Sequence, residues 1–243
     1  MSSTLMFLTL FPGILIIFFV YRKDKVESEP KGLIFKLILF GAISCVPAAI
    51  AETFMQSFSA GLSGLPYAAA EAFLVAALCE ETFKFLLLFL GSWRNRAFDY
   101  RFDAIVYGVS VAVGFALLEN ILYVADGGIS VAIMRGILAV PLHSFCGVFM
   151  GVFYGAMKQA SIRGQVVKTF CYLICALGVP MLIHGIYDTC AFMGNSLSTI
   201  ILLAFVAYMY FVSIRKINAL SAEDWKNCFY PYEQFIYDEP LYK

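Results

Sequence analysis

The sequence predicts an all-α membrane protein, a polytopic helical bundle of about seven transmembrane helices. Of the 243 residues, 61% are hydrophobic and 14% are charged, and the mean hydropathy is +0.82. Soluble domains contain about 45–50% apolar and about 25% charged residues, so this composition excludes a soluble globule. Disordered chains lack aromatic residues, whereas 16% of this chain is aromatic. At about 20 residues per crossing, the length allows seven or eight helices.

The apolar segments define the predicted spans in chain order. They are residues 4–21, 33–57, 67–91, 104–125, 131–157, 166–190 and 196–214. The first has no basic start and its basic residues follow it, so we interpret it as a membrane anchor rather than a signal peptide. We therefore expect one transmembrane domain over residues 1–214 and a short cytoplasmic tail over 215–243.

Basic residues alternate between successive loops and predict the orientation. Lys or Arg residues occur in loops 22–31, 92–103 and 158–165, and directly after the last span. None occurs in loops 58–66, 126–130 and 191–195. By the positive-inside rule, the N-terminus is predicted outside and the C-terminus in the cytoplasm. Lys and Arg total 17, as do Asp and Glu, so no net positive field would attract nucleic acid.

Ionisable residues occur inside the predicted spans, where a buried charge is costly and usually functional. They include Glu52, Glu71, Glu80, Glu81, Lys84, Glu119, Arg135, His143, His184 and Asp188. Both histidines of the chain belong to this set. We expect Glu52 and Glu71 to lie at the membrane interface, and Arg135 to extend toward the outer surface.

The spacing of these residues indicates which of them can meet. Glu80 and Lys84 share a helix face, whereas Glu81 should point about 100° away. Two adjacent carboxylates in a low dielectric need either a bound proton or cationic partners. His184 and Asp188 also share a face, where the carboxylate would fix the imidazole tautomer.

Depth in the membrane tests whether residues from different spans could form one site. Counted from the predicted outer interface, Glu80, Glu119 and His143 lie about 9–13 Å deep at ~1.5 Å per residue. His184 lies at a similar depth on the sixth span. We therefore predict a shared polar site in the outer half of the bilayer.

Carboxylates and imidazoles in a membrane cavity suit three kinds of function. They can activate water as a general base, bind zinc through Glu80, His143 and His184, or relay protons in a transporter or channel. The sequence contains no His-Glu-x-x-His, no Gly-x-Ser-x-Gly and no Glu-x-x-His motif, which disfavours zincin, serine-hydrolase and diiron sites. The absence of an internal repeat disfavours an inverted-repeat transporter.

The motifs together resemble a known family. The ordered set is Glu80-Glu81-x-x-Lys84, Phe115-x-x-x-Glu119-Asn120, His143 and His184-Gly-x-x-Asp188. This set is similar to the PrsW family of bacterial intramembrane proteases, within the wider group of CAAX prenyl endopeptidases and bacteriocin self-immunity proteins. The resemblance covers roughly residues 70–190.

The resemblance implies a glutamic-type endopeptidase of the bacterial cytoplasmic membrane that needs no metal cofactor. Its expected partners are the lipid bilayer and a single-pass membrane protein, an anti-sigma factor that receives its first cut near the outer face. By the same resemblance, Glu80 or Glu81 would activate the water with help from His143. His184 and Asp188 would stabilise the oxyanion or position the scissile carbonyl.

Three further residues would support this site by resemblance. Lys84 would neutralise the glutamate pair, and Glu119 and Asn120 would be supporting polar residues. The sequence departs from the CAAX-type pattern, because Lys84 replaces an arginine and Asp188 replaces an asparagine. An ionised Asp188 cannot donate a hydrogen bond to an oxyanion, so it must be protonated or only orient His184.

Overall fold

The chain folds as a bundle of α-helices. The computed structural model describes residues 2–226. Its helices are α1 (Ser3–Tyr21), α2 (Lys31–Met55), α3 (Gly64–Ala70), α4 (Leu78–Ser92), α5 (Asp103–Ile137), α6 (Ala139–Ile162), α7 (Val166–Met193) and α8 (Ser196–Lys226). A 3₁₀ turn, Gln56–Phe58, extends α2, and a π-helical turn, Glu71–Ala77, joins α3 to α4. No strand occurs in residues 2–226, which confirms the predicted all-α class.

Five segments are long and apolar enough to cross a membrane. They are Ser3–Tyr21, Lys31–Phe58, Asp103–Ile162, Val166–Met193 and Ser196–Trp225. The 60 residues of Asp103–Ile162 exceed a single crossing of about 30 Å and fold back on themselves as two crossings. The charged segment from α3 through α4 packs against α2 and α7 in the same bundle, so the number of helices is consistent with the prediction of about seven.

A reversal inside α5 depends on one glycine. Gly128 has φ 69° and ψ −155°, a conformation that residues with a Cβ atom rarely adopt. Beyond it the chain returns along α5, so that Arg135 lies opposite Asn120 with 2.9 Å between Nε and Oδ1. A kink at Leu138 then separates α5 from α6.

Backbone contact holds α5 and α6 together. Gly147, Gly151 and Gly155 recur every four residues, a spacing that predicts close helix approach. A Cβ atom at these positions would lie 2.7, 2.4 and 2.9 Å from carbonyl oxygens of α5 and the residues just before it. Because the helices touch through their backbones, His143, one turn before Gly147, is brought against α5.

A π-helical turn sets the direction of the crossing that carries the glutamate pair. Single π-helical turns shift the helix face and often occur at functional sites. At this turn, Phe73 packs on Gly185 of α7, where a Cβ atom would lie 2.3 Å from the phenyl ring. This close approach places His184 beside α4.

The two halves of the bundle differ in packing. The half nearer the predicted cytoplasmic face is a continuous apolar core, which includes the buried rings of Tyr107 and Tyr154. The hydroxyl groups of these tyrosines are satisfied by Ala97 O at 2.9 Å and by Ser92 Oγ at 3.0 Å. The other half contains the cavity described below.

The structure differs from the predicted spans at α8. The last span was expected to end at residue 214, but α8 continues to Lys226. Hydrogen bonding explains the extension, because Asp224 Oδ2 accepts from Phe102 N at 2.6 Å and Glu223 pairs with Arg101 at 2.7 Å. The predicted tail beyond residue 226 lies outside the described residues.

We expect Gly151→Ala to destabilise the protein by about 1–3 kcal/mol, because the new methyl group would overlap the α5 backbone. Gly178→Ala on α7 is the matched control, since nothing lies within 4 Å of the point where its methyl group would sit and helix propensity favours alanine. Thermal unfolding in detergent measures both variants. A melting temperature of Gly151→Ala at or above that of the wild type would contradict the close packing.

Candidate active site

The half of the bundle away from the predicted cytoplasmic face encloses a cavity of about 930 Å³. Its ionisable lining residues are Glu52, Glu71, Glu80, Glu119, Arg135, His143, His184 and Asp188. All eight belong to the ten ionisable residues named in the sequence analysis. The structure therefore brings together residues from five different crossings, and only Glu81 and Lys84 of the ten lie behind the cavity wall.

Lys84 lies at the centre of the polar cluster. Its Nζ is 2.9 Å from Glu80 Oε2, 2.8 Å from Glu81 Oε1 and 3.0 Å from His143 Nδ1. The ammonium group is fully buried and also lies 3.9 Å from the centroid of the Phe115 ring. The expectation that Glu81 points away from this pairing is wrong, because an i,i+3 spacing also brings side chains together.

His184 connects the glutamate pair to Asp188. Its Nδ1 is 2.9 Å from Glu81 Oε1, and its Nε2 is 3.1 Å from Asp188 Oδ2. Both ring nitrogens face carboxylate oxygens, which accept but do not donate when ionised. The arrangement therefore favours the doubly protonated, cationic imidazole, and Asp188 orients the ring.

His143 has the opposite pattern of partners. Its Nδ1 accepts a hydrogen bond from Lys84, so Nε2 must carry the ring proton. Nε2 lies 2.9 Å from Glu119 Oε2 and donates to it. The two imidazole rings lie 5.2 Å apart, edge to face, so a neutral and a cationic histidine face the same cavity.

Arg135 differs from its predicted position, and Asn120 contacts Arg135 rather than the cavity. Arg135 was expected to extend toward the outer surface, but its Nη2 lies 2.6 Å from Glu119 Oε2, because the turn at Gly128 folds it back over α5. Asn120 does not line the cavity. Its amide donates to Thr9 O at 3.0 Å and accepts from Arg135 Nε, so it supports the site only by holding α1 and Arg135.

The structure distinguishes the two adjacent glutamates. Glu80 lines the cavity and is 7% exposed, whereas Glu81 is fully buried and holds both Lys84 and His184. Glu80 Oε2 lies 3.9 Å from Nδ1 of each histidine. Its Oε1 has no hydrogen-bond partner among residues 2–226. Glu80 is thus the glutamate that can contact a water molecule in the cavity.

Two aromatic residues contact charged groups of the site, although the sequence analysis assigned no role to either. Phe115 lies under the Lys84 ammonium group, and Tyr123 lies 4.1 Å from the Arg135 guanidinium group. They flank Glu119 at one helical turn on either side. That i−4, i+4 spacing is the signal in the sequence that could have indicated them.

The cluster contains atoms of the kinds that bind metals. One ligand atom from each of Glu80, Glu81, His143 and His184 lies within 4.8 Å of the others. Mixed carboxylate and imidazole ligands are typical of zinc. Lys84, however, already makes hydrogen bonds to three of these four side chains.

Residues 29–214 match a family model described as PrsW family intramembrane metalloprotease. The chain is similar to Protease PrsW of Geobacillus kaustophilus, with 37% identity over 73% of this chain and 75% of the relative. It is 31% identical to Protease PrsW of Bacillus subtilis, over 84% and 90% of the two chains. The Clostridioides difficile protein of the same name is 28% identical over 90% and 92%. No solved structure matches the chain.

These matches favour a protease over the transporter or channel that the sequence left open. The matched region contains the whole polar cluster, from Glu80 to Asp188. The relatives are named as proteases, and the fold is that of a multi-pass membrane protein, in agreement with the predicted location in a bacterial cell membrane. The chain belongs to the PrsW family of intramembrane proteases.

Proposed function

We propose that this protease hydrolyses a peptide bond of a single-pass membrane protein with a water molecule activated by Glu80. The observation that carries the proposal is the position of Glu80 on the cavity wall. Lys84 holds one of its carboxylate oxygens, and the other is free to accept a proton. A general base must be within hydrogen-bond reach of the proton that it removes, and Glu80, unlike its neighbour Glu81, combines this access with a fixed orientation.

The remaining residues would act on the carbonyl group under attack. As Glu80 takes a proton, the water oxygen bonds to the carbonyl carbon and negative charge develops on the carbonyl oxygen. A cationic His184, held by Glu81 and Asp188, would stabilise this charge. When the carbon–nitrogen bond breaks, the proton on Glu80 passes to the departing amine. Asp188 acts through His184 and is a positioning residue.

The position of the cavity supports cleavage near the outer face. Its lining residues Glu52, Gln56 and Glu71 border the loop 58–66, which the distribution of basic residues places outside. A helical substrate would have to unwind locally, because its amides are otherwise satisfied within the helix. A single-pass anti-sigma factor cut close to the outer surface, as the family resemblance implies, meets these requirements.

A zinc-dependent mechanism does not fit this arrangement, although the family description names a metalloprotease. The donor atoms of Glu80, Glu81 and His143 surround an ammonium group at 2.8–3.0 Å. A zinc ion among them would have to displace Lys84, since two cations at such a distance repel each other strongly in a buried site. We therefore propose that Lys84 supplies the positive charge and that no step requires a metal.

Glu80→Gln should lower the rate of cleavage by about 10²–10⁴-fold, the usual contribution of a general base, with little loss of stability. The assay uses purified enzyme in liposomes with single-pass membrane peptides, and mass spectrometry identifies the products. Asp126→Asn is the matched control, because this exposed acid on α5 does not line the cavity. Cleavage by Glu80→Gln at the wild-type rate would refute the role of Glu80.

Lys84→Met should reduce stability by about 3–5 kcal/mol, the cost of leaving a buried partner charge unpaired. The double variant Glu81→Gln/Lys84→Met should recover part of this loss, because it removes one of the uncompensated carboxylates. Lys168→Met, at an exposed position on α7, is the control. Thermal unfolding measures all three, and a double variant less stable than Lys84→Met would contradict the charge balance.

Treatment with 1,10-phenanthroline should leave the rate of cleavage unchanged, because Lys84 replaces a catalytic metal. The buffer contains millimolar Mg²⁺, so that only tightly chelated transition metals are removed. Cleavage is measured before and after dialysis, and zinc content is measured in parallel. If activity disappears with the zinc and returns when zinc is added, the metal-free mechanism is wrong.

A further inference from the structure

Three carboxylates meet at the predicted cytoplasmic end of the bundle, away from the catalytic cavity. Asp24 and Glu29 belong to the loop between α1 and α2, and Asp103 is the first residue of α5. One oxygen of each lies within 4.8 Å of an oxygen of both others. Glu29 and Asp103 are each 1% exposed, and Asp24 is partly buried. The proposed cleavage reaction uses none of these residues.

Protein donors fix one oxygen of each carboxylate. Asp24 Oδ1 accepts from Val26 N at 3.3 Å, and Glu29 Oε2 accepts from the Tyr107 hydroxyl group. Asp103 Oδ2 accepts from Tyr100 N at 2.7 Å, a backbone amide just before α5. These bonds hold the carboxylates in place, so their approach does not depend on flexible surface side chains.

The other oxygen of each carboxylate is buried without a hydrogen-bond partner among residues 2–226. These atoms are Asp24 Oδ2, Glu29 Oε1 and Asp103 Oδ1. More than about 90% of buried polar groups in proteins have a partner, so three such atoms in one cluster are exceptional. They are acceptor atoms that the described part of the chain leaves open for a ligand.

The cluster also lacks a counter-charge. No Lys or Arg of the described region forms a salt bridge with these three carboxylates, and Arg101 pairs instead with Glu223. Three carboxylates this close repel one another when they are ionised, and a cationic ligand would relieve this repulsion.

We propose that Asp24, Glu29 and Asp103 bind a hard divalent cation of the Mg²⁺, Mn²⁺ and Ca²⁺ class. These ions prefer ligand sets made only of oxygen, and carboxylates are their usual protein ligands. Because their bonds to oxygen are about 2.0–2.6 Å long, two ligands of one ion can lie roughly 4–5 Å apart. The three oxygens, which all lie within 4.8 Å of one another, are close enough to share one ion.

The bound cation would fasten two elements together at this end. Asp24 and Glu29 would connect the α1–α2 loop to the start of α5 through Asp103. The same loop is joined to α8, because Ser221 Oγ donates to Lys23 O at 2.6 Å. The site is therefore structural in character and lies apart from the catalytic residues.

The test is binding of Mn²⁺ to the purified full-length protein in detergent, followed by electron paramagnetic resonance. We expect the wild type to bind about one ion per chain, and Glu29→Gln/Asp103→Asn to bind at least 10-fold more weakly, as ligand loss generally requires. Glu27→Gln is the matched control, because it removes the same charge from the same loop at an exposed position. Glu80→Gln should bind normally, since the catalytic cluster is not the site.

Three results would overturn the proposal: no bound Mn²⁺ in the wild type at millimolar concentration, unchanged binding in Glu29→Gln/Asp103→Asn, or equal loss in Glu80→Gln. The absence of bound Mn²⁺ is expected if Glu29 and Asp103 share a proton instead of a cation. If the double variant does not fold, Asp24→Asn replaces it, because Asp24 is in a loop and partly exposed. At least 10-fold weaker binding by Asp24→Asn supports the site, and wild-type affinity rejects it.

Discussion

The buried ammonium group of Lys84 is the charge on which the catalytic cluster depends. Two adjacent glutamates on one helix would repel each other in a medium of low dielectric constant, and neither could remain ionised cheaply. Lys84 lies within 3.0 Å of both and of His143, so it compensates the pair and also fixes the tautomer of the imidazole. Because it binds only one oxygen of Glu80, it leaves the other available to water.

Two chains of hydrogen bonds extend from this one cation, and each alternates donors with acceptors. One runs through Glu81 and His184 to Asp188, and the other through His143 and Glu119 to Arg135. Together they join α4, α5, α6 and α7, so the position of each helix depends on the others. A network of this kind is preorganised, and its dipoles need not reorient when charge develops on a substrate.

Local sequence patterns predicted the spans and the residue pairs within one helix. They did not predict the contacts between different helices. Hydropathy gave the spans, and i,i+4 spacing gave the pairs of Glu80 with Lys84 and of His184 with Asp188. The inward position of Arg135 could not be predicted, because it depends on a single positive φ angle at Gly128. The difference between Glu80 and Glu81 depends equally on α7, since only the approach of His184 makes Glu81 the buried partner.

The glycines of α5 and α6 are as necessary to the site as its carboxylates. In a bilayer, the lipid is as apolar as the side chains, so burial of apolar surface does not drive helix association. Close packing between the helices must stabilise it instead. Backbone contact at Gly147 and Gly151 fixes how far α6 lies from α5. That separation sets the 2.9 Å between His143 and Glu119, and a wider spacing would leave the buried Nε2 of His143 without its acceptor. The polar cluster is therefore possible only because residues without polar side chains bring its helices into contact.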